Sequence, residues 1–232
     1  MKANLFNEAA ETYDSVSDVQ VLSAARLVEM IRGCLSSSDV ESIVDIGCGT
    51  GNASLELMKY YSTAEYFLCD ISPRMIEKAR EKIARHCNVR YFVADAERRD
   101  FAERYSLGIS NLAMQWFESI DAFLEKILKN CRYFAFSIPT DESFSSLDLS
   151  SALIYPPVEK IKRVCEKCGE PIEFSTKKFE LQFENSFALA RYFRKLGAAA
   201  HSSIKSPPRG KTTLDYEIFF AIVRRRGANK HD

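Results

Sequence analysis

The stretch Ile43-Val44-Asp45-Ile46-Gly47-Cys48-Gly49-Thr50-Gly51-Asn52 constrains this chain more than any other. An apolar run of strand length ends in an acid and passes into a turn with glycine at three alternate positions, and a helix-like segment follows. Alternate glycines let the backbone turn sharply and let a ligand lie against it without meeting a Cβ. The free N–H groups that open the next helix face whatever lies there. An ordinary strand–helix turn also carries glycines, so the plain reading has to be weighed against what lies downstream.

Two acids downstream argue against it. Asp70 closes the apolar run Tyr66-Phe67-Leu68-Cys69, about 20 residues past the loop, where nucleotide-binding α/β units place an acceptor for ribose hydroxyls. A carboxylate suits that task because it accepts two hydroxyl hydrogens with charge-assisted strength. Asp95 follows a third strand, Val89-Arg90-Tyr91-Phe92-Val93. Three successive strand ends thus offer a glycine loop and two carboxylates, all on the carboxyl edge of a parallel sheet, where open α/β folds bind ligands. The spacing Gly47-x-Gly49-x-Gly51 is not the Gly-x-Gly-x-x-Gly dinucleotide fingerprint.

The rest of the chain supports alternating strands and helices. Residues 3–35 read as helical, with Val21, Ala25, Val28, Ile31 and Leu35 spaced to share a buried face. Ser72-Pro73 opens a helix through about residue 85, serine as cap and proline at the first helical position, with Met75, Ile76, Ala79 and Ile83 inside. Strands are expected near 106–110 and 133–138, around a helix at 119–129. Strand signal then vanishes from Thr140 to Lys178, which predicts a helical insertion or lid, and returns at Phe179–Phe183. A helix over 186–196 ends at Gly197, placed as a left-handed cap, and a last strand spans 214–223. This order predicts a doubly wound, mostly parallel sheet, in one domain over 1–232 with an N-terminal helical segment to residue 38 and the lid at 140–178.

Charged residues at 28% and apolar residues at 46% fit a globular protein. No apolar run is long enough to span a bilayer, and the N-terminus lacks a signal-peptide core. A cytoplasmic protein with no membrane partner is expected. The seven cysteines are scattered and read as reduced thiols. Cys165 and Cys168 form a Cys-x-x-Cys pair without two further ligands nearby, so spectator thiols are expected and no metal. Residues 160–232 carry 16 Lys or Arg against 8 Asp or Glu in a chain of zero net charge. Such a split suits an acidic partner or merely a solvated surface.

Taken together, the glycine loop with Asp70 and Asp95 resembles the cofactor motifs of class I S-adenosylmethionine-dependent methyltransferases. The resemblance implies their Rossmann-like, seven-stranded sheet and S-adenosyl-L-methionine as cofactor. It implies that Asp70 holds the ribose hydroxyls and Asp95 faces the adenine amino group, with Met75 and Ala96 beside the ring. Asp45 would orient the loop or approach the methionine amino group, and Gly47, Cys48, Gly49, Gly51, Ile71 and Asn111 would complete the cofactor site.

Three further stretches narrow the resemblance to the malonyl-acyl carrier protein O-methyltransferases. They are Phe6-Asn7-Glu8-Ala9-Ala10-Glu11-Thr12-Tyr13-Asp14 with Gln20, then Ser110-Asn111-Leu112-Ala113-Met114-Gln115-Trp116, and finally Phe187 through Ala198 followed by Leu214-Asp215-Tyr216-Glu217. The chain departs from that family at Lys129-Asn130-Cys131-Arg132-Tyr133, where a Gly-Gly turn is usual, and at Pro139-Thr140-Asp141-Glu142-Ser143, where Gly-Thr is expected.

The reaction implied is methylation of the free carboxylate of a malonyl thioester, the step that opens pimeloyl and biotin synthesis, with acyl carrier protein as partner and no nucleic acid. A carboxylate is already ionised near neutral pH, so no general base is needed. Alignment and dryness become the enzyme's tasks. Tyr13, Gln115 and Trp116 are candidates for the catalytic wall facing the methyl group, although Tyr13 and Trp116 would equally serve as packing. Arg194, Lys195 and Arg209 are candidates to hold the substrate carboxylate, with no motif to choose among them. A methyltransferase for another small carboxylate, and a non-methylating assembly-factor relative that binds a protein client, remain alternatives.

Overall fold

A computed structural model describes residues 2–86, 88–145, 155–197 and 210–228. Among them seven strands form one sheet: β1 (Ser42–Ile46), β2 (Glu65–Asp70), β3 (Val89–Val93), β4 (Tyr105–Asn111), β5 (Cys131–Pro139), β6 (Glu170–Phe183) and β7 (Thr212–Arg224). Their order is β3-β2-β1-β4-β5-β7-β6. The first five are parallel, and β7 runs antiparallel to both of its neighbours. The order reverses between β1 and β4, which opens the crevice where α/β sheets of this kind bind ligands.

Helices α1 (Lys2–Ala9), α2 (Asp18–Cys34), α3 (Asn52–Met58), α4 (Pro73–Ile83), α5 (Ile120–Asn130), α6 (Val158–Cys168) and α7 (Ser186–Lys195) cover the sheet. Local chemistry sets their starts. Ser72 Oγ accepts the Met75 N–H, Ser119 Oγ accepts the Ala122 N–H, and Asn185 Oδ1 accepts the Ala188 N–H. Gly197 ends α7 with φ of 74°, the left-handed cap expected there. A Cβ at Gly197 would lie 3.1 Å from the Leu5 carbonyl oxygen and 3.2 Å from Ala9 Cβ, so α1 rests directly on that turn.

Both sheet faces are buried, which is why the central strands read as continuous apolar runs. Every residue of β5 is buried. Along β7, Ile218, Phe220 and Ile222 join the core beneath α2, while Phe219, Ala221 and Val223 join the one beneath α5 and α6. Phe134 and Phe136 are fully buried in the second core, where truncation of either to alanine costs about 3–5 kcal/mol.

Three expectations need correction. The segment 3–35 is not one helix: it breaks after Ala9, makes a short turn at Tyr13–Val16 and restarts at Asp18. The buried stripe of α2 runs through Val19, Ser23, Ala24, Leu27, Val28, Met30 and Ile31, leaving Val21 and Ala25 exposed. A polar residue, Ser23, takes an inner position because it has buried partners on β4 and β5. The helical reading of 140–178 fails beyond Cys168, since Glu170–Lys178 belongs to β6, an edge strand whose exposed, charged side chains mask the strand pattern. The helix found there, α6, packs against α5 through Ile161, Val164 and Cys165, and contributes nothing to the cavity described below.

The glycine-free junction after α5 has a simple basis. Cys131 is already extended, with φ of −109°, so α5 passes directly into β5. Asn130 Nδ2 fixes the junction by donating to the carbonyls of Phe101 and Glu103.

Candidate active site

One cavity of about 150 Å³ opens at the carboxyl ends of β1, β2, β3 and β4. Gly47, Gly49 and Gly51 all have left-handed φ, of 67°, 54° and 85°. Two of them are closed in by protein: a Cβ would meet Ala113 Cβ at 2.4 Å from Gly47, and Ile83 Cδ1 at 2.7 Å from Gly51. A Cβ on Gly49 would meet no protein atom within 4 Å. The loop is tied to β2 because the N–H groups of Gly47 and Cys48 both donate to the Cys69 carbonyl, at 2.8 and 3.1 Å.

Asp70 sits at the hub of this edge. Its Oδ2 accepts the Gly49 N–H at 2.9 Å and its Oδ1 accepts the Ser72 N–H at 2.8 Å. Burial raises its pKa, and the N–H groups of Ser72, Gly49 and Ile71 work against that rise. Asp45, at the adjoining strand, is buried, and its Oδ2 accepts the Ser54 hydroxyl at 2.6 Å. Its Oδ1 is buried with no hydrogen-bond partner. Burial pushes the Asp45 carboxyl up to about 7, a shift that Ser54 opposes and the Asp70 charge reinforces. A buried acceptor left unpaired costs free energy unless a donor arrives.

The cavity wall beyond Asp70 is formed by Ile71, Met75, Ala94, Asp95, Ala96 and Glu97. Asp95 Oδ1 accepts the Glu97 N–H at 3.0 Å, which folds the loop after β3 inward. Glu97 Oε1 in turn accepts the N–H groups of Glu118 and Ser119. Asn111 reaches the same wall, yet its side chain is largely engaged elsewhere. Its Oδ1 accepts the hydroxyls of Ser23 and Ser137, both at 2.8 Å, and its Nδ2 donates to the Gln20 carbonyl at 3.0 Å. Asn111 therefore holds α2 against β4.

The far end of the cavity is aromatic. Phe144 lies 4.7 Å from Tyr216, 5.8 Å from Tyr155 and 5.8 Å from Phe193, centroid to centroid. Tyr13, Gln115 and Trp116 line this cavity too, so the three predicted wall residues are brought together. Leu112, in a left-handed conformation with φ of 50°, turns the chain after β4. Its carbonyl accepts Gln115 Nε2 at 2.7 Å, and Gln115 Oε1 is left buried without a partner. Burial, with the Asp70 charge next in effect, raises the Tyr13 pKa and keeps its hydroxyl protonated. From α1, Phe6 packs edge-on against Trp116 at 5.5 Å and closes the cavity on that side.

The basic residues selected from the sequence do not enter. No Lys, Arg or His occurs among the described residues lining the cavity. Arg194 is exposed and Lys195 half-buried on α7, whose inward face presents Phe193 and Leu196 instead. Arg209 lies outside the described residues. Sequence reasoning missed Phe144, Tyr155, Phe193 and Tyr216, which come from separate segments and carry no shared spacing. Thr50 and Asn52 also line the cavity; their position inside the glycine loop was the available signal.

The sheet order, the left-handed glycine loop and the acids closing β2 and β3 define a class I S-adenosylmethionine-dependent methyltransferase. Residues 43–133 match the methyltransferase domain family. A malonyl-[acyl-carrier protein] O-methyltransferase of Ilyobacter polytropus is 27% identical over 97% of this chain and 87% of its own length. That of Acetivibrio thermocellus is 30% identical over 83% of this chain and 76% of its own. The crystal structure of a putative methyltransferase from Bacillus halodurans superposes with a TM-score of 0.65 at 16% identity, covering 87% of this chain and 98% of that one. The chain belongs to the malonyl-[acyl-carrier protein] O-methyltransferase family, and S-adenosylmethionine is its methyl donor. No helix among the described residues is long and apolar enough to cross a membrane.

Proposed function

We propose that this enzyme methylates the free carboxylate of malonyl-acyl carrier protein. The observation that carries the reading is a likeness to malonyl-[acyl-carrier protein] O-methyltransferases extending over 97% of the chain. A match of that extent takes in most of the segments that wall the cavity, from Phe6 and Tyr13 to Tyr216 of β7.

The acceptor atoms of the cavity suit S-adenosylmethionine, which supplies an electrophilic methyl group on a sulfonium. Asp45 Oδ1, buried and unpaired, is the acceptor for its ammonium group. Asp70 takes the ribose hydroxyls while holding Gly49 and Ser72 in place, and Gly49 leaves the open space along which the chain of the cofactor lies. Asp95, Ala96, Ile71 and Met75 form the adenine side.

The malonyl carboxylate enters at the aromatic end. It arrives ionised, so no residue need remove a proton. The protonated hydroxyl of Tyr13 donates to it, which orients one oxygen without the grip of a buried arginine. Gln115 is pinned through Leu112 and presents its oxygen, an acceptor that disfavours a carboxylate pointing toward it. The acid is thereby directed toward the methyl group. Phe144, Tyr155, Phe193 and Trp116 exclude water, and opposite charges annihilate more readily where water does not stabilise them apart.

Arg191 and Arg194 stand exposed on α7, which packs against the Tyr13–Val16 turn at the cavity's rim. This basic face suits an acidic carrier protein better than a substrate carboxylate. Incubation with methyl-labelled cofactor and malonyl-acyl carrier protein tests the reading: label in a base-labile ester supports it. Labelling of a different small carboxylate, or of nothing while cofactor binds, overturns it.

A further inference from the structure

The arm formed by residues 2–16 crosses the cavity and is held to α4 at three points. Asn7 Oδ1 accepts the Ser72 hydroxyl at 2.6 Å, Glu11 pairs with Lys78 at 2.9 Å, and Asp14 pairs with Lys82 at 2.7 Å. The third differs from an ordinary surface pair. Lys82 Nζ also donates to Thr50 Oγ1 at 2.9 Å and to Asn52 Oδ1 at 2.7 Å, so all three of its protons are committed. Thr50 Oγ1 donates to the second Asp14 oxygen at 2.6 Å, which closes a ring of hydrogen bonds among Lys82, Thr50 and Asp14. Although partial burial opposes it, hydrogen bonds from Lys82 and Thr50 bring the Asp14 pKa below its ordinary value.

Lys82 does not itself line the cavity, but Thr50, Asn52 and Tyr13 do, and Tyr13 is the chain neighbour of Asp14. The ammonium thus joins the glycine loop, the start of α3 and the residue facing the acceptor. An isolated exposed ion pair contributes little. A half-buried lysine with three fixed acceptors on two functional segments has a different consequence.

We propose that Lys82 is a positioning residue for methyl transfer: it sets Tyr13 on the arm in register with the glycine loop that holds the cofactor. The proposal rests on the cofactor assignment above and not on the identity of the methyl acceptor. It predicts that cofactor affinity and arm placement are coupled through a side chain that touches neither ligand.

The chain's only tryptophan reports arm placement, because Trp116 packs against Phe6 of the arm. In Lys82→Met, S-adenosylhomocysteine affinity measured by calorimetry should fall about tenfold, the scale of charge-assisted hydrogen bonds lost. Acrylamide should quench Trp116 more readily in the ligand-free variant, and saturating S-adenosylhomocysteine should reverse this. Lys82→Arg should recover part of the affinity, since a planar guanidinium reaches Asp14 but does not match three acceptors arranged around an ammonium. Should Lys82→Met not fold, Asp14→Asn carries the same two readouts, because it removes the ion pair and keeps a polar side chain. Wild-type affinity and wild-type quenching in the folded variant overturn the proposal. Neither readout requires a methyl acceptor, so a failure here is separate from a failure of malonyl methylation.

Discussion

Asp70 at the end of β2 accepts the N–H of Gly49 at 2.9 Å, so the carboxylate proposed for the ribose also holds the loop proposed for the methionine chain. One side chain fixes two parts of the cofactor site. Asp70→Ala should therefore weaken S-adenosylhomocysteine binding by about 100-fold or more, at or above the upper end for a single charged hydrogen bond. Asp70→Asn should retain part of the loop geometry and lose less. Isothermal titration of both variants gives the comparison.

The glycines separate stability from binding. Gly47→Ala drives a Cβ into Ala113 and should destabilise the fold measurably. Gly49→Ala meets no protein atom, so its cost to stability is limited to the left-handed backbone, about 1–2 kcal/mol. Its methyl group intrudes on the space proposed for the cofactor. Chemical denaturation should rank Gly47→Ala as the less stable, while calorimetry should show a loss of cofactor affinity in Gly49→Ala out of proportion to its stability.

These elements were legible because their signals are local. A strand, an acid and alternate glycines occupy ten consecutive residues, and Asp70 and Asp95 each close their own apolar run. The arm's closure was not legible: Asn7 meets Ser72, Asp14 meets Lys82, and Phe6 meets Trp116 only once the sheet brings distant segments together. The first part of β6, Glu170–Lys178, escaped notice because it lies on an edge strand with one wet face, so Glu170, Glu173, Lys177 and Lys178 interrupt its pattern, whereas Phe179–Phe183 was legible. Arg194 and Lys195 misled because charge was read without direction. The helical period that places Phe193 and Leu196 in the cavity leaves Arg194 exposed at its rim.

Asp45 gives the site a pH dependence of two opposite signs. An acid raised to about 7 when buried favours the folded state fully below its unfolded pKa of about 3.9. That contribution is lost as the pH climbs from there through about 7. The ligand-free protein should lose this part of its stability over the same interval. Cofactor affinity should move the other way, since a cationic ammonium is held by the carboxylate and not by the acid. Thermal melts between about pH 4 and 8 and titrations between about pH 6 and 8 should show the two trends, and Asp45→Asn should flatten both.

The basic face of α7 should matter for a protein substrate alone. Charge reversal by Arg191→Glu with Arg194→Glu should raise KM for malonyl-acyl carrier protein severalfold and leave malonyl-coenzyme A turnover nearly unchanged. Added salt should reduce the wild-type preference for the carrier protein, because surface attraction is screened. Steady-state kinetics with both thioesters at two ionic strengths provides the check.

Direct transfer identifies the methyl acceptor. Purified protein with methyl-labelled S-adenosylmethionine should place label on malonyl-acyl carrier protein as a base-labile ester, faster than on malonyl-coenzyme A and far faster than on free malonate. Cofactor binding without label on either malonyl thioester would rule out a malonyl acceptor.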